Sequence, residues 1–161
     1  MSEKIKRKYM AHFINSSKSG SPVYVRLGKD LEEYKIELNA NTEKKSNILG
    51  ETSVNLTSYQ VEGAVEPYYA EAGDPLFTRL QDIIDERQTL DDLTTDVIEV
   101  HLWDEDNATP GSYVAYKEDA VIEVSSYGGD TTGYQIPFNI HYKGNRVKGK
   151  FVLDTKTFTA G

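Results

Sequence analysis

A chain of 161 residues is most simply one domain, long enough to bury roughly 70% of its unfolded surface in a single core. Net charge is −8 and there is no cysteine, which excludes disulfides, thiolate metal sites and cysteine nucleophiles. No apolar run reaches the ~18 residues of a membrane span, and the basic N-terminus lacks the apolar core of a secretory signal, so the expectation is a soluble protein of a reducing cytoplasm.

Residues 1–21 read as a basic N-terminal arm without sustained periodicity, and residues 22–161 as a single β-rich domain. Val23–Leu27 is a short strand, Gly28-Lys29-Asp30 a turn, and Tyr34–Leu38 a second, weakly alternating strand. Asn39–Asn47 (NANTEKKSN) has no apolar anchor and reads as a protruding loop. From Glu51 to Tyr69 the pattern is strand, with Val54, Leu56 and Val61 set among polar residues and Gly63 marking a bend. The clearest helix follows: Asp74 as N-cap, Pro75 at the first helical position, then Leu76, Phe77, Leu80, Ile83 and Ile84 as one apolar stripe. Arg79, Gln81, Asp82, Asp85 and Glu86 are expected on the opposite, solvated face.

Beyond the helix, Val97–Trp103, Tyr113–Lys117 and Ala120–Ser126 read as strands separated by Asp/Asn/Pro/Gly turns. Tyr134, Ile136, Phe138, Ile140 and Tyr142 alternate with polar partners, with Pro137 indicating an edge or bulge. Lys143-Gly144-Asn145-Arg146 reads as a hairpin turn into the closing strands Val147–Leu153 and Lys156–Thr159. The fold class is therefore mainly β, a sandwich or barrel of about eight strands with one flanking α-helix.

Charge is unevenly spread. Residues 82–106 hold a run of acids with Arg87 the one base, whereas 143–156 and 4–8 are basic, a pattern that suits complementary faces between copies of one chain. No catalytic motif is present, so the chain is read as no enzyme. His12, His101 and His141 lack metal-ligand spacing, Asp104-x-Asp106 lacks the glycine and distal glutamate of a calcium loop, and no cofactor or metal is expected. A competing reading is a monomeric carbohydrate-binding β-sandwich, which needs aromatics such as Trp103, Tyr113 and Tyr116 on one concave face.

The segments NANTEKKSNILGETSVNL, VEPYYAEAGDPLF with the helix LFTRLQDIIDER, and VIEVHLWDED resemble the major tail tube proteins of long-tailed bacteriophages and prophages. That resemblance implies hexameric rings that share a continuous inner β-barrel and stack into a tube for DNA ejection. Its partners would be other copies of the chain, then tape measure, terminator and distal tail proteins. Double-stranded DNA would pass through without specific binding, the location would be the virion tail after assembly in the host cytoplasm, and no membrane is involved. The tube of a contractile tail, bacteriocin or secretion system is the nearest alternative. Under this reading Arg7, Tyr9 and Phe13 of the arm and Asn41, Glu43, Lys44 and Lys45 of the loop are candidates for contacts between rings. Ile48, Leu49, Tyr68 and Tyr69 are candidates for burial between subunits. A lumen of net negative charge is expected, because lysine or arginine lining would create affinity for phosphate.

Overall fold

The computed structural model describes residues 3–18, 20–28 and 34–161. In chain order the strands are β1 (Met10–Asn15), β2 (Tyr24–Leu27), β3 (Ile36–Glu37), β4 (Ala40–Ser46), β5 (Thr52–Tyr59) and β6 (Glu62–Val65). Helix α1 (Pro75–Glu86) then precedes β7 (Thr94–Glu105), β8 (Ser112–Val124), β9 (Gly128–Asp130), β10 (Gly133–Gln135), β11 (Phe138–Tyr142), β12 (Val147–Val152) and β13 (Thr157–Ala160). Nine of them make one antiparallel sheet in the order β2-β1-β7-β8-β11-β6-β3, with β12 and β13 branching from β8, and the sheet curls into a half-barrel. The pairs β4–β5 and β9–β10 stand apart as two-stranded ribbons.

The long strands β7 and β8 are buried on both faces, because alternate side chains enter two different cores. Val97, Ala120 and Ile122, with Ile14 of β1 and Phe138 and Ile140 of β11, pack under α1. Side chains of the opposite parity, Ile98, Val100 and Ala115, meet Phe13, Tyr24 and Phe151 on the other face. There the curl brings β1 against β12, and the rings of Phe13 and Phe151 lie 4.8 Å apart.

Helix α1 starts where the chemistry demands it. Asp74 Oδ1 accepts the amide N–H of Leu76 at 3.0 Å, Asp74 Oδ2 accepts the Tyr68 hydroxyl at 2.5 Å, and Pro75 needs no acceptor. It ends at Arg87, in the left-handed conformation that turns the chain out of the helix. Leu76, Leu80, Ile83 and Ile84 are buried, and half-buried Phe77 meets the Tyr134 ring edge-on.

Several expectations are corrected. Residues 10–15 are no arm: their pattern of consecutive buried side chains makes β1 an interior strand between β2 and β7, and Phe13 is core. Basic flanks hid a six-residue strand whose four central side chains are buried. Asn39–Asn47 protrudes, but as strand β4 of a ribbon rather than as a loop. Tyr113–Lys117 and Ala120–Ser126 merge into β8, since Glu118 and Asp119 keep extended backbone inside the sheet. Lys143–Arg146 is not a hairpin. Strands β11 and β12 pair in series along the same edge of β8, and the break is clamped by Gly144 N–H donating to Glu118 and Asp119 N–H donating to Asn145. Lys29 and Asp30 of the expected turn, like Met1, Ser2 and Ser19 of the expected arm, lie outside the described residues.

Arg79 is also corrected, from solvated to 4% exposed. Its guanidinium donates to the backbone carbonyls of Ser17 (3.2 Å), Asp92 (3.2 Å) and Thr94 (2.9 Å), pinning the helix to the segment after β1 and to the start of β7. Ser17 and Asp92 lie outside the strands and Thr94 opens β7, so a long donor that reaches all three satisfies carbonyls that burial would otherwise orphan. Replacing Arg79 with Ala should destabilise the fold by about 3 kcal/mol, and Leu80→Ala by a similar amount, through lost donors and a cavity respectively. Gln81, also expected to be solvated, is half-buried and accepts the Tyr134 hydroxyl at 2.7 Å. Denaturant unfolding measures both substitutions, and Asp82→Ala on the exposed flank should cost far less.

Candidate functional site

Three surfaces break the rules that a stable monomer obeys. The first is the β4–β5 ribbon. Every residue of β4 and of β5 is exposed, and a solitary two-stranded ribbon is marginal in water. Register places Thr42 opposite Leu56 and Lys44 opposite Val54, so one ribbon face carries aliphatic side chains at 50% and 60% exposure. At the tip Ile48 is fully exposed and Leu49 78% exposed. The tip is nonetheless built: the Asn47 side-chain oxygen accepts the amides of Leu49 (2.9 Å) and Glu51 (3.0 Å), and Gly50 supplies the positive φ that closes the turn.

The second surface is one face of β3, β6, β11 and β8. Helix α1 covers their inner side, where Ile36, Gly63, Val65, Phe138, Ile140 and Ile122 point; Gly63 is required there because a Cβ would strike the Tyr34 hydroxyl at 2.6 Å and its ring at 2.8 Å. The outer side alternates into water and carries Glu37, Glu62, Glu66 and Glu123 around Lys35, Asn139 and His141. Glu37 and Glu62 are cross-strand partners, a like-charge pairing that an isolated sheet would avoid. His141 bridges two of these acids, Nε2 to Glu123 at 3.1 Å and Nδ1 to Glu62 at 3.3 Å. Hydrogen bonds from Asn139 and then His141 hold the Glu123 carboxyl below its ordinary pKa.

The same four strands end in two open edges. Among the described residues, β3 pairs on one side only, with β6. At the far side, pairing of β8 with β7 stops at Val121, leaving the backbone edge of Ile122–Val124 beside a groove of about 600 Å3 walled by Ile83, Ile84 and Leu93.

The third surface lies on the lower half of the α1-side face. Glu99, 13% exposed, sits 2.8 Å from His101 Nε2, 2.7 Å from Arg146 Nη2 and 3.6 Å from buried His12 Nε2. Burial is the largest influence on Glu99 and acts to raise its pKa. His12, His101 and Arg146 together outweigh it and pull the carboxyl far below the ordinary range. Burial also lowers the His12 pKa, so that imidazole is neutral. Above Glu99 the Trp103 ring stacks on His101 at 4.5 Å, and Arg146 lies over Tyr116 at 4.2 Å. Tyr113 has the opposite parity and packs against the Phe151 core, so the three aromatics needed for a sugar platform do not share a face.

The remaining candidates fall as follows. Arg7 donates to the carbonyls of Met10 and Tyr34, and Tyr9 is 40% exposed beside it. Asn41, Glu43, Lys44 and Lys45 lie on the exposed strand β4, with Lys45 3.2 Å from Glu43. Tyr68 packs edge-on against Phe138 inside the chain, and half-buried Tyr69 bridges to Gln135. The basic segment near the C-terminus meets acids of its own chain, Arg146 on Glu99 and Lys150 on Asp106 at 2.7 Å each. The charge matching expected between copies is thus met partly within one. The wet acidic face is not legible in the sequence because its four strands are distant there; the alternation of Asn139 and His141 with Phe138 and Ile140 is a local sign of it.

No protein-family model matches the chain, and no curated protein matches it in sequence. Its fold is similar to that of a chain in the six-fold symmetrised cryo-EM structure of the anti-feeding prophage baseplate, with a TM-score of 0.52 over 92% of this chain and 97% of that one. Identity is 7%, so the likeness is one of fold.

The Glu99 cluster has a pH consequence. A histidine with a lowered folded pKa takes its proton more readily when unfolded, so stability falls as pH drops below about 6.5. A glutamate with a depressed folded pKa contributes stability above its unfolded value of 4.5, lost on further acidification. Both slopes therefore have the same sign. The melting temperature should fall between about pH 7 and pH 5.5, and fall again below about pH 4.5. His12→Phe should flatten the first segment and leave the second, as read by calorimetry across that range.

Proposed function

We propose that this chain is a structural protein of a phage-tail-type particle that assembles head to tail into six-membered rings stacking into a tube. The observation that carries the reading is the four-stranded unit β3-β6-β11-β8, roofed by a helix on one side, wet and acidic on the other, and open at both edges. An even number of antiparallel strands leaves β3 running opposite to β8, so β3 of one copy can pair antiparallel with the open β8 edge of the next. Repetition then closes a barrel with no exposed edge. In that barrel α1 lies outside and Glu37, Glu62, Glu66 and Glu123 line the lumen. An acidic wall repels phosphate and lets DNA pass without the counterion release that would make it stick.

The fold likeness to a baseplate chain of a prophage particle supports a tail-type role. The tube, the number six and DNA ejection are inferences from the open edges, the acidic face and the resemblance of the sequence to tail tube proteins. Tail proteins that cap or initiate the tube are the partners this reading implies, with assembly in the host cytoplasm and a final place in the particle. The chain acts as scaffold, without catalysis, cofactor or metal.

Negative-stain electron microscopy of concentrated protein should show six-fold rings or tubes with a central hole. A stable monomer under all conditions, or a ring whose hole is lined by the α1 side, would refute the proposal. Within rings, replacing Glu37, Glu62, Glu66 and Glu123 by Lys should leave ring assembly intact and confer double-stranded DNA binding. Its affinity, followed by filter retention, should fall steeply with salt, by roughly tenfold or more between about 50 and 200 mM.

A further inference from the structure

The β4–β5 ribbon projects as an arm with an aliphatic tip, and the chain supplies a place for that tip. Between β2 and the connector from β6 to α1 lies a cavity of about 230 Å3, walled by Val25, Leu27, Val65, Pro67, Tyr69 and Leu76. This wall is largely apolar and open, and nothing among the described residues fills it. We propose that the tip of the β4–β5 arm of one copy seats Ile48 and Leu49 in this cavity on a second copy. This inference rests on the assembly reading above in taking the partner to be the same chain.

Three observations converge on that occupant. The tip is preorganised: the Asn47 side chain holds the turn so that two adjacent aliphatic side chains stand in water, an arrangement that lowers the ordering cost of docking. Its position suits a repeating contact, because the arm joins β6 at Glu62 whereas the connector walling the cavity leaves β6 at Val65. Donor and acceptor thus lie off opposite ends of one strand, and such a heterologous contact propagates from copy to copy. Charge agrees as well, since Lys44 and Glu51 flank the apolar tip and the cavity lining carries Glu71 and Arg26, one of each sign on either side.

The other cavities fit less well. The larger space at the arm's root, about 690 Å3, is lined by Glu99, Glu118, Lys143 and Arg146, and an aliphatic tip there would strip water from charged groups. The groove beside Ile122–Val124 adjoins a backbone edge that calls for a strand rather than a turn.

The chain contains no cysteine, so engineered pairs report cleanly. Leu49→Cys protein is mixed with Tyr69→Cys protein at concentrations used for assembly, oxidised, and examined on non-reducing gels. A disulfide requires Cα atoms within about 7 Å, so the mixed dimer should form roughly tenfold more, or better, than with a Lys143→Cys partner. Arg26→Cys, on the exposed rim, repeats the test if loss of Tyr69 perturbs folding. Rings or tubes in which position 49 cross-links to neither cavity position overturn this inference and spare the assembly reading. The cross-link without rings supports the docking contact and overturns the ring. Preferential cross-linking to position 143 assigns the tip to the other cavity and refutes the proposal.

Discussion

The fold depends on burying β7 and β8 from both sides. A strand pair with apolar residues on both faces needs two covers, and the chain provides them from different sources. Helix α1 lays its stripe over Ile122 and Val97, while the curl of β1, β2 and β12 closes over Ile98 and Val100. The two covers are offset along the strands, so each leaves part of the sheet bare. Beyond the curl, the outer face of β3, β6, β11 and β8 is wet; beyond the helix, the face around Glu99 is polar. The surfaces available for assembly are the complement of those two cores.

What remains bare is not randomly polar. A core-facing strand of an ordinary monomer carries mixed, solvating charge on its outer side, whereas here the carboxylates of Glu37 and Glu62 face one another across β3 and β6. Local arrangements that cost stability in isolation are expected where a protein does its work. The β4–β5 arm is the same case in apolar form, with aliphatic residues exposed on a ribbon that has no core of its own. The unpartnered aliphatics are the kind of surface that a docking partner would bury.

Internal electrostatics sharpen this division. The acidic run between Asp82 and Asp106 is partly consumed within the chain: Asp96 accepts from Tyr24 and Asn15, Glu99 is held by Arg146 and two histidines, and Lys150 covers Asp106. Arg79 spends its charge on backbone carbonyls rather than on a carboxylate. With those bases committed, excess negative charge is left on the wet sheet face.

Local chemistry alone determined a good part of this protein. The Asp74-Pro75 start of α1, its apolar stripe, the alternation from Ile136 to Tyr142 and the mainly β class with one helix are legible because each is set by neighbours within a few residues. The sequence also marked Asn39–Asn47 as protruding, since no apolar residue there could anchor it. It could not show that Met10–Asn15 is an interior strand, because that depends on partners at Tyr24–Leu27 and Val97–His101. Nor could it show that Arg79 is buried, because its acceptors come from residues 62, 13 and 15 positions away. The acidic face and its two open edges were decided by tertiary structure alone. Facing is a property of register between distant strands, and an edge exists only where a partner strand stops.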